Sequence, residues 1–259
     1  MAKKSVFDVF NTLSARHTLE RVRAELCAPS PEPCGALLHG GFHIGTLLHS
    51  QLQRLAVVLD KAHLPCDWTD EGLHLKGPWQ ALINALCPRA EEDPELIAVE
   101  QTPFCLPRSL CRTLGVHTRV VRLVIADQEH LVCAQRALTR HINPGLLDNP
   151  VAGMVKAHES LTEALEREAL EEASLALLAD SPLLQFETAR ALDDGFLRET
   201  TYVWWRTLSQ ISPVTLVAND GEVACFQALT PQQYLNAIAC KRIVPEAAMA
   251  TLLATQHTI

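Results

Sequence analysis

The residues most capable of chemistry stand close together. Between Leu161 and Leu175 the chain carries Glu163, Glu166, Arg167, Glu168, Glu171 and Glu172. Ser160, followed three residues later by Glu163, has the pattern of a capping box and sets a helix start there. On a helical wheel Leu161 and Leu165 define the inward face. Glu168 and Glu172 fall on the same stripe, and Glu171 lies about 60° to one side. Glu163 and Glu166 point the opposite way, as a solvated acidic face would. Inward carboxylates cost roughly several kcal/mol each unless they are compensated. Arg167 alone is too little positive charge for three of them. Two readings follow: a divalent-cation site, since oxygen-rich ligand sets suit Mg²⁺ or Mn²⁺, or a salt-bridged helix end.

The charge distribution singles out the same stretch. The 259-residue chain has a formal net charge of −8, which speaks against non-specific nucleic-acid binding. Residues 148–200 hold 12 Asp+Glu against 4 Lys+Arg, whereas residues 1–147 balance at 15 of each. The composition, 48% hydrophobic and 20% charged, is that of a chain able to bury a core. No apolar run has the length of a membrane-spanning helix. Met1–Lys4 leads directly into Ser5–Asp8 without the apolar core of an export signal. Together with nine cysteines and no Cys-x-x-Cys pair, this gives the expectation of a cytoplasmic chain with neither membrane nor nucleic-acid partners.

The elements that would position the acidic helix read as follows. The first part is mixed: a short helix over Thr18–Cys27, a helical stripe over Thr46–His63, a hairpin at Cys66–Trp68 and Leu73–Leu75, and a helix from Pro78 to Leu86. Residues 88–108 are Pro-rich and acidic and suggest a boundary. Strands then follow at Arg119–Ala126 and Leu131–Ala134, with a loop at Asn143-Pro144-Gly145 ahead of the helix. Further strands are expected at Leu184–Ala189, Thr201–Leu208 and Val223–Ala228, and a closing helix from Thr230-Pro231. His39-Gly40-Gly41-Phe42-His43 places two imidazoles close together, but the glycines favour a turn and no third ligand stands nearby.

The segment from Gly153 to Leu175 resembles the signature of the Nudix hydrolases, G-x5-E-x7-R-E-U-x-E-E-x-G-U, where U is a bulky aliphatic residue. Gly153, Glu159, Arg167, Glu168, Glu171, Glu172 and Leu175 match at the required spacings. Ala169 is smaller than the usual aliphatic, and Ser174 stands where the pattern has its last glycine. The flanks, Pro144–Gly153 and Asn219-Asp220-Gly221-Glu222-Val223, are similar to a subgroup related to the N-terminal part of fungal thiamine pyrophosphokinases.

The resemblance implies an α+β fold: a Nudix α/β/α sandwich with a mixed sheet over residues 115–259, preceded by a smaller auxiliary α+β domain over residues 1–114. That domain would act as a substrate lid, an element of a homodimer, or both. It also implies hydrolysis of a small-molecule diphosphate with Mg²⁺ or Mn²⁺. The subgroup points to thiamine diphosphate or its oxidised analogues, giving the monophosphate and phosphate. ADP-ribose or another nucleoside diphosphate derivative is the alternative, and a non-catalytic binding protein is a further one. Carried over by position, Glu168, Glu171 and Glu172 are metal ligands and catalytic residues, the Gly153 carbonyl is a further ligand, and Glu159 reaches the metal through water. Arg167 orients a ligand, because its planar fork holds carboxylates bidentately. Glu222, between a Gly turn and a strand, is the candidate base. Arg136 and Arg140, with His141 beside the latter, are candidates for phosphate. Trp204, clustered with Tyr202 and Trp205, is the candidate face for a heteroaromatic cation.

Overall fold

The computed structural model describes residues 5–88, 95–207, 216–219 and 221–257. Two short helices, α1 (Val6–Phe10) and α2 (Leu13–Leu26), open the described chain. They lead into β1 (Cys34–His39), β2 (Phe42–Leu48), α3 (His49–Lys61), β3 (Cys66–Trp68), β4 (Gly72–Leu75) and α4 (Trp79–Leu86). The four strands form one sheet in the order β2-β1-β4-β3. Leu37, Leu47, Leu52, Leu59, Leu73 and Leu82 fill the core between that sheet and its two helices. The expected helical stripe over Thr46–His63 divides at Leu48: pairing with β1 keeps the chain extended up to that residue. The Gln51 side chain then accepts the Leu48 N–H at 3.0 Å and starts α3.

A two-stranded ribbon, β5 (Leu96–Ala98) and β6 (Cys105–Pro107), leads into the larger part. There follow β7 (His117–Ala126), β8 (Leu131–Arg136), β9 (Leu147–Asp148), β10 (Val151–Met154), α5 (Leu161–Ala173), β11 (Leu184–Leu192), β12 (Gly195–Thr207), β13 (Val223–Leu229), α6 (Pro231–Ala239) and α7 (Pro245–His257). The sheet runs β11-β12-β7-β8-β13, with β10 paired to β7 and β9 to β8. It is mixed, because β12 lies parallel to β7 while its other pairs are antiparallel.

Alternation along β7 sorts the layers. Val121, Leu123 and Ile125 pack with Leu165 and Ala169 of α5. Val124 and Ala126 pack on the opposite face with Tyr234, Met249 and Leu252 of α6 and α7. The result is the expected α/β/α sandwich beside a smaller α+β sheet. Val6, Phe10, Leu19 and Leu26 join the α6–α7 cluster, not the β1–β4 core. A division at residue 114 therefore describes the smaller sheet but not the helices ahead of it. No helix among the described residues is long and apolar enough to cross a membrane.

Candidate active site

Helix α5 starts where its sequence says it should. The Ser160 hydroxyl accepts the Glu163 N–H at 3.2 Å, and the Glu163 carboxylate accepts the Ser160 N–H at 2.8 Å. At its other end Ser174 adopts φ 51°, the left-handed position that favours glycine, and the Leu175 N–H reaches the Ala169 carbonyl at 2.9 Å. The helix phase is the predicted one. Glu168 and Glu172 are 7% and 8% exposed, and Glu171 is on the outside. Glu166 departs from expectation, since its Oε1 accepts the Ala179 N–H at 2.8 Å and ties down the chain beyond the helix.

Strand β10 lies against the buried glutamates. The Ala152 N–H donates to Glu172 at 2.8 Å. A Cβ on residue 153 would sit 1.9 Å from the Glu168 carboxyl carbon, so only glycine lets strand and carboxylate approach this closely. Arg167 joins the rest. It donates through Nε and Nη2 to the two oxygens of Glu159 at 2.7 and 2.9 Å, and through Nη1 to Glu168 at 2.7 Å and Glu171 at 3.1 Å. Nη2 also donates to the Met154 carbonyl at 3.1 Å. Arg167 thus reaches two of the three carboxylates expected on this face, Glu168 and Glu171, and adds Glu159, because its five N–H groups fan out in one plane.

The charge balance still leaves room for a cation. Four carboxylates, Glu159, Glu168, Glu171 and Glu172, gather around Arg167, with Arg108 and Lys156 as further cations near them. Burial pushes the Glu168 carboxyl above its ordinary range despite Arg167 beside it. Burial acts the same way on Glu159, but the Arg167 fork and the Lys156 N–H outweigh it and hold that group low. The donors are all hard oxygens, which fits Mg²⁺ or Mn²⁺. Among the described residues no three His, Cys, Asp or Glu side chains converge closely enough to hold an ion by themselves.

Next to Gly153 opens a cleft of about 630 Å³ that sequence reasoning largely missed. Its floor crosses four strands: Ala152 and Met154 of β10, Val120 and Arg122 of β7, Leu197 and Glu199 of β12, and Arg190 and Leu192 of β11. Three strand spacings make it about 14 Å long. Charges alternate across the floor. Arg136 and Arg122 hold the two oxygens of Asp148 at 3.0 and 2.6 Å, and Arg190 holds Glu246 at 2.9 Å. Burial raises the Glu199 carboxyl, with Arg122 opposing. The Nε atoms of Arg122 and Arg190 are buried without a hydrogen-bond partner among the described residues. A charge among apolar strand neighbours, as at Arg122 between Val121 and Leu123, was the available signal.

The other expected residues separate into two groups. Arg136 lines the cleft, although its Nε and Nη2 also hold the Ile142 carbonyl at 3.2 and 3.0 Å. Arg140 forms an ion pair with Glu222, and both share a small recess with Glu172 that adjoins the cleft. Trp204 is a correction: it is 1% exposed in the core under α5, and its indole N–H donates to the Asp180 carbonyl at 2.9 Å. Tyr202 packs toward the same core and Trp205 stacks near Phe7 on the other face, so none of the three lines the cleft. His39 is buried, bonds the Leu75 carbonyl at 3.2 Å and packs against Trp79 and Phe104, a structural role. Asp220, part of the similar flank, lies outside the described residues.

Comparison with known proteins agrees with this geometry. The model of the NUDIX domain family matches residues 116–248. An uncharacterized Nudix hydrolase, YfcD from Salmonella typhi, is 29% identical over 178 residues, 68% of this chain and 83% of that protein. Among solved structures, DR0079 from Deinococcus radiodurans aligns with a TM-score of 0.47 at 23% identity, covering 64% of this chain and 98% of its own. The NUDIX domain of NrtR from Shewanella oneidensis, crystallised with ADP ribose, aligns with a TM-score of 0.43 at 15% identity over 56% of this chain and 90% of its own. With a family match over just more than half its length, on top of the matching box, the chain belongs to the Nudix family of hydrolases.

Proposed function

We propose that this chain hydrolyses the diphosphate of a small molecule with the help of a divalent metal. The observation that carries this reading is the junction at Gly153: buried glutamates of α5 on one side of the strand, an arginine-lined cleft on the other. Glu168, Glu171, Glu172 and the Gly153 carbonyl would hold Mg²⁺ or Mn²⁺, with Glu159 as an outer partner. Bound there, the cation polarises the phosphoryl group and lowers the pKa of a water. Arg167 keeps the glutamates in place. Arg136 and Arg140 face the diphosphate. Glu222, in the recess beside Glu172, is assigned as proton acceptor for the attacking water.

Thiamine diphosphate and its oxidised analogues are the substrates we place first. The similarity around Asp148-Asn149 and Gly221-Glu222 supports them, and Asp193, Asp194, Glu199 and Glu246 add negative charge along the cleft for a cationic ring. The second reading is ADP-ribose or another nucleoside diphosphate derivative: among the described residues no aromatic side chain lines the cleft, so neither a thiazolium nor an adenine ring has a stacking face there. Stacking therefore gives a flat cation no advantage there.

The test is product formation with Mg²⁺ over thiamine diphosphate, its oxidised analogues, ADP-ribose and nucleoside diphosphate sugars, ranked by kcat/KM. EDTA should abolish turnover, and Mg²⁺ or Mn²⁺ should restore it. Full activity in metal-free buffer would overturn the metal assignment. An advantage of about tenfold or more for ADP-ribose moves the substrate to the second reading.

A further inference from the structure

All but the last residue of the segment Leu106–Val116 lie ahead of the Nudix match, yet three of them face the cleft. Its apolar residues, Leu106, Leu110, Cys111, Leu114 and Val116, are buried in the β1–β4 core. Arg108, Ser109 and Arg112 lie on the other side and line the cleft. Arg108 opens a 3-10 helix over Arg108–Leu110 and Arg112 stands in the turn that follows, and both side chains line the same cleft.

The backbone of this turn is fixed at both ends. The Thr46 N–H of β2 donates to the Gly115 carbonyl at 2.9 Å, and the Phe196 N–H of β12 donates to the Arg112 carbonyl at 3.0 Å. Gly195 makes the second contact possible: a Cβ there would stand 2.1 Å from the Arg112 carbonyl oxygen. Gln51, a residue of α3, donates to the Leu192 and Gly195 carbonyls at 3.1 and 2.7 Å and holds the β11–β12 turn beside it.

The two arginines differ. Arg108 is paired with Glu95 at 2.5 Å and feels the charges of Glu168 and Glu222, which puts it at the box end of the cleft. Arg112, half-buried, has no ion-pair or hydrogen-bond partner for its guanidinium among the described residues, and it sits at the start of β12, toward Glu199. A preorganised, unpaired fork on a cleft wall is a donor waiting for acceptors.

We propose that this turn reads the substrate. Arg108 contacts the diphosphate, and Arg112 contacts a hydrogen-bond acceptor on the part of the molecule beyond it, making both specificity-determining residues. The inference rests on the diphosphate reading above and gives the N-terminal region a role in selection.

The experiment uses the full chain with its best substrate and with methyl diphosphate, which ends where the distal group would begin. Arg112→Gln should raise KM for the full substrate by about tenfold or more with kcat within about threefold, the range of one lost charge-assisted contact. The preference for the full substrate over methyl diphosphate should shrink by the same factor. Arg112→Lys, which keeps the charge, should recover part of it. Arg108→Gln should raise KM for both substrates. Arg206→Gln, whose partner is the exposed Asp180, should leave the preference as it is. Melting curves of each variant separate lost binding from lost fold. An unchanged preference in a folded Arg112→Gln protein, with Glu172→Gln inactive, would overturn this inference and leave the function standing. A fully active Glu172→Gln protein would overturn both.

Discussion

The box helix and the cleft beside it are two ways of building a site. Helix α5 carries its carboxylates, its cap and its organising arginine within Glu159–Leu175, and Arg167 reaches three of those carboxylates inside that stretch. The cleft takes its charges from β7, β8, β11, β12, the start of α7 and the turn at Arg108–Arg112, residues spread from 108 to 246. The first is a local design whose geometry follows from spacing. The second exists only once the whole chain has folded. A local site can fail in chemistry while the fold survives, whereas a distributed one fails with the fold.

Breaking the distributed part should therefore have the largest effect. Arg122 is buried between Asp148 and Glu199. Arg122→Met leaves both carboxylates short of their partner and should cost about 3–5 kcal/mol, lowering the melting temperature by roughly 6–20 °C. A melting point within a degree or two of the parent would show that the floor is not a structural network.

The local part should respond in rate. Glu172→Gln keeps an acceptor for the Ala152 N–H, so the fold should hold while kcat drops about a hundredfold, near 2.7 kcal/mol of transition-state stabilisation. Glu166→Gln should lose at most ~0.5–1.5 kcal/mol of stability through its bond to Ala179 and keep kcat within about threefold. Equal losses of rate at 166 and 172 would contradict the phase of the helix.

The smallest effect sharpens the comparison at one residue. Ser174 holds φ 51° with a side chain that gains nothing in return among the described residues. Ser174→Gly should relieve that strain and stabilise by about 1 kcal/mol or less, a rise of ~2–4 °C. A lower melting point would mean that the unfolded chain gains more freedom than the helix end loses in strain.

The same division explains what was legible. Ser160, Glu163 and the Leu161/Leu165 stripe announced α5, and alternating Val, Leu and Ile residues announced β7, because these signals are periodic and short-range. The burial of Glu168 and Glu172 along one stripe follows from the same periodicity. Helix α7 was not foreseen: Ala247 through Leu252 are all buried, and a helix apolar all round has no stripe to detect. Trp204 was misread because its neighbours alternate faces, and the sequence does not say which face is core. Arg108 and Arg112 were overlooked because nothing in their own neighbourhood reveals that Gly195 brings β12 against them.

The packing of α1 and α2 against α7 has a consequence for synthesis. Val6, Phe10, Leu19 and Leu26 find their partners Met249 and Leu252 only after roughly 220 further residues have been made, about 10–45 s at ordinary rates of translation. Until then the opening helices have only strand residues of their cluster, such as Val124, Ala126 and Leu131, to pack against. Closure of the larger sandwich is thus a late event that joins segments roughly 220 residues apart. Chaperone demand should accordingly fall on the opening helices and not on the box, whose helix and strand emerge next to each other and can pair as soon as they appear.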